Sequence, residues 1–125
     1  MSNILFGVCI ILPVLCIGSG CYFIRQEQKK CDILSIVLIS VGLALIAFYT
    51  LPNTSDDLQR HFDVMRSYQN HSIMVIFHSG YSLVYLNNLI MYIIAQTNIL
   101  GLYQAIFTFV GYFYLFKLIL MIYDD

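Results

Sequence analysis

Three stretches of this chain carry no Asp, Glu, Lys or Arg: residues 1–24, 33–55 and 67–116. A soluble domain of this size carries charge on roughly a quarter of its residues. Here 10% are charged and 60% are hydrophobic. The charges also cluster. Arg25, Glu27, Lys29, Lys30 and Asp32 form one group, and Asp56, Asp57, Arg60, Asp63 and Arg66 form a second. Lys117, Asp124 and Asp125 are the remainder. This distribution excludes a soluble globular domain, a disordered tail and a nucleic-acid binder with a basic patch. It predicts an integral membrane protein.

A bilayer core about 30 Å thick takes roughly 20 apolar residues per helical crossing. The first two charge-free runs fit one helix each, near 4–24 and 33–51. The third run is long enough for two, and its most polar triplet, Gln96, Thr97 and Asn98, is the natural break. Helices near 72–95 and 99–122 follow. The predicted fold is all-α: one membrane domain over 1–125, with four transmembrane helices and a short external interfacial helix within the 52–71 loop. The runs are continuously apolar and do not alternate, which excludes a membrane β-barrel. The first segment reads as a retained helix and not as a signal peptide, because no Lys or Arg precedes residue 25.

Arg25, Lys29 and Lys30 crowd the short loop between the first two helices. Short loops rich in Lys and Arg stay on the cytoplasmic side. That places the N-terminus and the 52–71 loop outside, the Gln96–Asn98 turn inside and the C-terminus outside again. Cys9, Cys16, Cys21 and Cys31 show no paired metal-ligand spacing and read as small apolar residues. No metal and no cofactor is expected.

The 51–66 stretch is the most informative. Pro52 ends the second helix, and Asn53, Thr54 or Ser55 can cap a new one with Asp56 and Asp57 in its first turn. Leu58, Phe62 and Met65 recur at i, i+4 and i+7, giving an amphipathic helix whose apolar stripe suits a membrane surface. Asp56 is spaced to pair with Arg60, and Asp57 with His61. Such pairs are ordinarily a solvated helix face worth a few tenths of a kcal/mol each. The functional alternative is anion recognition, since an arginine fork grips a phosphate through two parallel hydrogen bonds.

Pro52, then Asp57, Leu58, Arg60, His61 and Phe62, together with Asn98 and the run Gly111, Tyr112 and Phe113, resemble the N-terminal part of bacterial exopolysaccharide and O-antigen polymerases of the Wzy-like, EpsG type. Members are multi-pass proteins of the bacterial inner membrane. They join undecaprenyl-diphosphate-linked repeat units at its outer face. The resemblance implies that Asp57, Arg60, His61 and Arg66 contact the lipid diphosphate or the sugar. It also implies that the chain supplies about the first third of such a polymerase. The expectation is therefore a truncated or incomplete chain, inactive by itself, with a second polypeptide carrying further helices as its partner.

His78, Tyr81, Tyr85, Asn88 and Tyr92 are spaced 3, 4, 3 and 4 apart. On one continuous helix they form a single polar face, which packs on other helices or lines a cavity fit for sugar rings. Lys117 reads as a side chain snorkelling to the interface. Tyr103, Phe107, Val110 and Tyr114 read as a packing or lipid-facing stripe. The rival to a polymerase fragment is a small non-enzymatic four-helix membrane protein, an accessory, immunity or transport-associated subunit that uses the same polar face as an interface.

Overall fold

The computed structural model describes residues 3–24, 29–52, 56–78 and 85–123, and their side chains apart from those of 3–8, 29–32, 75, 78 and 123. These residues are all-α. The helices are α1 (Asn3–Ile24), α2 (Lys29–Tyr49), α3 (Asp57–Tyr68), α4 (Met74–His78), α5 (Tyr85–Thr97) and α6 (Gly101–Tyr123). There is no strand among the described residues. The chain forms two compact units, one of Met1–Tyr49 with Gln104–Asp125 and one of Thr50–Tyr103.

In the first unit α1 and α2 form an antiparallel pair. Gly42 rests on Pro13, Cys16 and Ile17, and Gly20 rests on Ser35 and Ile39. Contact is close because glycine has no side chain. A Cβ on Gly20 would stand 2.9 Å from the Ser35 carbonyl oxygen, and one on Gly42 would stand 3.0 Å from that of Pro13. Pro13, Ser35 and Ser40 are fully buried, while Ile11, Val14, Leu15, Ile33 and Leu34 point outward. Apart from Ile36, the buried residues of this pair are small (Pro13, Gly20, Ser35, Ser40 and Gly42), while many large apolar ones lie outside, the reverse of a water-soluble core. Small residues at a seam let helix backbones approach and gain dispersion energy where no hydrophobic drive exists.

In the same unit the Gln104 amide donates to the Phe48 carbonyl oxygen at 3.5 Å, beside the last turn of α2. Beyond it α6 is apolar on every side. From residue 105 to residue 122 none of its side chains is buried. Gly101–Ile122 is long and apolar enough to cross a membrane. Among the described residues, the apolar parts of the first two helices, Cys9–Ile24 and Ile33–Tyr49, are shorter. The end of α2 at Tyr49 precedes Pro52, which cannot donate to a helix and pushes the residue before it out of the helical region.

The second unit has its own small core. Phe62, Met65 and Tyr68 of α3 pack against Met91, Ile94 and Ala95 of α5 and Tyr103 of α6. The amphipathic helix expected after Pro52 is present, with Asp56 at its N-cap position; the Asn53–Ser55 candidates lie outside the described residues. Its stripe is not laid on a membrane surface, however. Phe62 and Met65 are buried against α5, and burial of a side chain the size of Met65 contributes roughly 1.5–3 kcal/mol.

Within the expected helix over 72–95 the described residues form α4 and α5, which pack against each other, while 79–84 lie outside the described residues. The Tyr92 hydroxyl donates to the His71 carbonyl oxygen at 3.0 Å, and the Gln96 amide donates to that of Tyr68 at 3.1 Å. Residues 71 and 92 are 21 apart. A straight helix would separate them by about 32 Å. Two asparagines in the left-handed region, which that residue tolerates better than most, turn the chain: Asn70 (φ 64°) after α3 and Asn98 (φ 59°) after α5. The second is the break expected at Gln96–Asn98. There the Thr97 hydroxyl donates to the Ile94 carbonyl oxygen at 2.7 Å and accepts from the Ile99 amide at 3.2 Å.

Candidate functional site

The buried stripe of α3 fixes which residues its other face presents. Asp57, Arg60 and His61 lie on the first turns, and the fold brings them together around one carboxylate. Arg60 donates from Nη1 to Asp57 Oδ1 at 3.4 Å. His61 Nε2 stands 3.4 Å from Asp57 Oδ2, an ion pair whenever the imidazole carries its second proton. Arg60 therefore pairs at i, i+3 with Asp57, and not with Asp56 as the spacing suggested.

Arg66 is not part of that group. It pairs with Asp63 at 2.9 Å, and the Gln59 amide donates to the same Asp63 oxygen at 2.9 Å. Both pairs are exposed, with the Arg60 side chain 83% accessible. Exposed pairs of this kind contribute between zero and about 1 kcal/mol. Counting its N-cap Asp56, α3 carries three aspartates (56, 57, 63) against two arginines (60, 66), one net negative charge with His61 neutral. An incoming anion at either arginine competes with the aspartate already paired there through Nη1. The weakness of each exposed pair keeps that exchange inexpensive.

His61 differs from the arginines because it has a wall behind it. Its ring is 5.3 Å from that of Tyr103, and the buried Tyr103 donates its hydroxyl to Asn87 Oδ1 at 3.1 Å. Asn87 and Tyr103 were not among the sequence candidates for a site. Tyr103 read as one of an aromatic stripe at helical spacing, yet Phe107, Val110 and Tyr114 are exposed while Tyr103 is buried. No periodicity separates Tyr103 from the others; only the return of α5 beside α3 does.

Of the expected five-residue polar face, three members have described side chains, and they lie on α5. Tyr81 and the His78 side chain lie outside the described residues. Asn88 is buried, and Tyr92 is spent on the His71 carbonyl. Tyr85 is exposed, with its ring 6.1 Å from that of Phe77. Among the described residues no three His, Cys, Asp or Glu side chains come together to hold a metal ion.

No protein-family model, curated protein or solved structure matches this chain.

Proposed function

We propose that the chain is a multi-pass protein of a bacterial cell membrane that holds α3 on the outer face. There Arg60, His61 and, further along the helix, Arg66 receive the charged head of a polyprenyl-diphosphate-linked glycan, with Asp57 holding Arg60 and His61 until it arrives. In this reading α1 and α2 form a transmembrane hairpin and α6 is a further span. The reversed distribution of small and large residues about the α1–α2 seam supports the hairpin. The basic loop at Arg25, Lys29 and Lys30 supports its orientation. The glycan assignment rests on the resemblance to polymerases of the Wzy-like, EpsG type. The observation that carries it is the convergence of Arg60 and His61 on the single carboxylate of Asp57. A diphosphate replaces that carboxylate with more charge and a geometry the guanidinium fork matches. In a transfer reaction the same groups would stabilise the departing diphosphate, with further helices from a second polypeptide completing the site.

The test is binding of the purified protein to vesicles with and without a polyprenyl diphosphate. Arg60→Ala lowers the diphosphate-dependent part at least several-fold. Binding unchanged by both Arg60→Ala and His61→Ala overturns the assignment. The second reading, a non-enzymatic membrane subunit, is favoured by one specific observation: each arginine already has an aspartate on its own helix. It is the reading left standing if neither variant changes diphosphate binding.

A further inference from the structure

Among the described residues of the 67–100 run, α4 and α5 pack against each other and so are not parts of one straight spanning helix. Both ends of the segment are also tied to one level. Gln96, at the end of α5, bonds to Tyr68 at the end of α3, and Tyr92 bonds to His71. At the other end of α5, Asn87 holds Tyr103, whose ring lies tilted against that of His61 of α3. These contacts hold both described ends of α5 beside α3.

The outward side of this pair is nevertheless apolar. Met74 and Phe77 of α4 are each 62% exposed, and Leu86 and Ile93 of α5 are 73% and 57% exposed. Between the two helices lies an open groove of about 300 Å³ lined by Ile76, Phe77, Tyr85, Leu86 and Leu89. No Asp, Glu, Lys or Arg occurs from residue 67 to residue 116. Contiguous exposed apolar patches of this kind mark contact with a membrane or another protein. The choice between them follows from continuity. The same unit runs directly into α6 at Gly101, and α6 is the helix long and apolar enough to span. The patch therefore belongs to the unit in which α6 begins.

We infer that α4 and α5 form a non-crossing cap immersed in the leaflet on the side of α3, where their groove takes a hydrocarbon chain of a membrane lipid. The inference rests on the membrane reading above and adds two consequences to it. The turn at Asn98 is on the same side as α3. And α6, starting there, delivers the C-terminus to the opposite side, together with Lys117, where the preference for basic residues at the cytoplasmic face is met.

The test uses the full chain with Cys9, Cys16, Cys21 and Cys31 changed to Ala and one new cysteine at a time. Ser67→Cys reports α3, Ile99→Cys reports the turn before α6, and Leu86→Cys reports the cap. Each is exposed to a membrane-impermeant maleimide in intact and in permeabilised cells. Labelling of Ser67→Cys and Ile99→Cys from the same side is expected. Leu86→Cys should stay unlabelled from both sides until detergent dissolves the membrane, with Phe77→Cys as a second reporter should Leu86→Cys fail to accumulate. Labelling of positions 67 and 99 from opposite sides overturns the inference. So does ready labelling of 86 and 77 in intact membranes. Labelling of both 67 and 99 from the cytoplasm upholds the cap and removes only the outer-face placement in the proposed function.

Discussion

The hydroxyl of Tyr92 and the carbonyl oxygen of His71 are 3.0 Å apart, although 21 residues separate them. The contact turns a segment that reads as one transmembrane helix into a folded cap. It also removes Tyr92 from any polar stripe facing a cavity. The Gln96–Tyr68 bond repeats the constraint four residues on.

Loss of these two bonds should loosen the cap without unfolding it. Tyr92→Phe and Gln96→Leu each remove one hydrogen bond, worth about 0.5–1.5 kcal/mol net. Denaturant unfolding in detergent, followed by a probe on α5, should show losses of that size. The two losses should add to less than twice the single value, because both bonds hold the same pair of helix ends.

Met65 is fully buried at the centre of the α3–α5 contact. Met65→Ala removes the packing and leaves a void, for a loss of about 2–5 kcal/mol. Val64, exposed on the same helix, serves as the control: Val64→Ala should change stability by less than about 0.5 kcal/mol. The same unfolding measurement decides both.

Gly20→Ala should disrupt the α1–α2 hairpin, since the added Cβ falls 2.9 Å from the Ser35 carbonyl oxygen and backbone must shift. Overpacking of this kind costs about 1–3 kcal/mol. Gly18 has open space where its Cβ would be, so Gly18→Ala should be neutral or slightly stabilising. Crosslinking between α1 and α2, or thermal stability in detergent, distinguishes the two alanines.

Asp57 holds Arg60 and His61 in place but also occupies them. Asp57→Asn should change stability by less than about 1 kcal/mol, because both contacts are exposed. It should raise affinity for diphosphate-bearing vesicles, and the gain should shrink as salt is added. An affinity that falls instead would make Asp57 a ligand contact in its own right. Binding titrations at two ionic strengths decide it.

Much of this was legible in the sequence. The charge-free runs gave helices at α1, α2 and α6, because an apolar run of that length has few other solutions. Asn98 marked the turn before α6. The i, i+4, i+7 pattern of Leu58, Phe62 and Met65 gave α3 and its buried side. What the pattern could not carry was the object on which that side rests. A stripe buried on α5 and a stripe buried in lipid have the same sequence signature.

The reversal between α4 and α5 was hidden for a related reason. No charge marks a boundary in this stretch, and its polar residues His78, Tyr81, Tyr85, Asn88 and Tyr92 recur at helical spacing, so they read as one face of one helix. The bonds that enforce the return involve backbone carbonyls of Tyr68 and His71, which any residue could supply. Tyr103 likewise gained its place beside His61 from tertiary folding and not from its spacing along α6.

The distance between residues 71 and 93 in the membrane tests the cap most directly. Both side chains are exposed. Spin labels on His71→Cys and Ile93→Cys leave the Tyr92 hydroxyl and the His71 carbonyl intact. A single helix through this segment would hold the two positions about 33 Å apart. The folded cap predicts a distance well below that in pulsed dipolar measurements on lipid vesicles. A narrow distribution centred near the straight-helix value would contradict it.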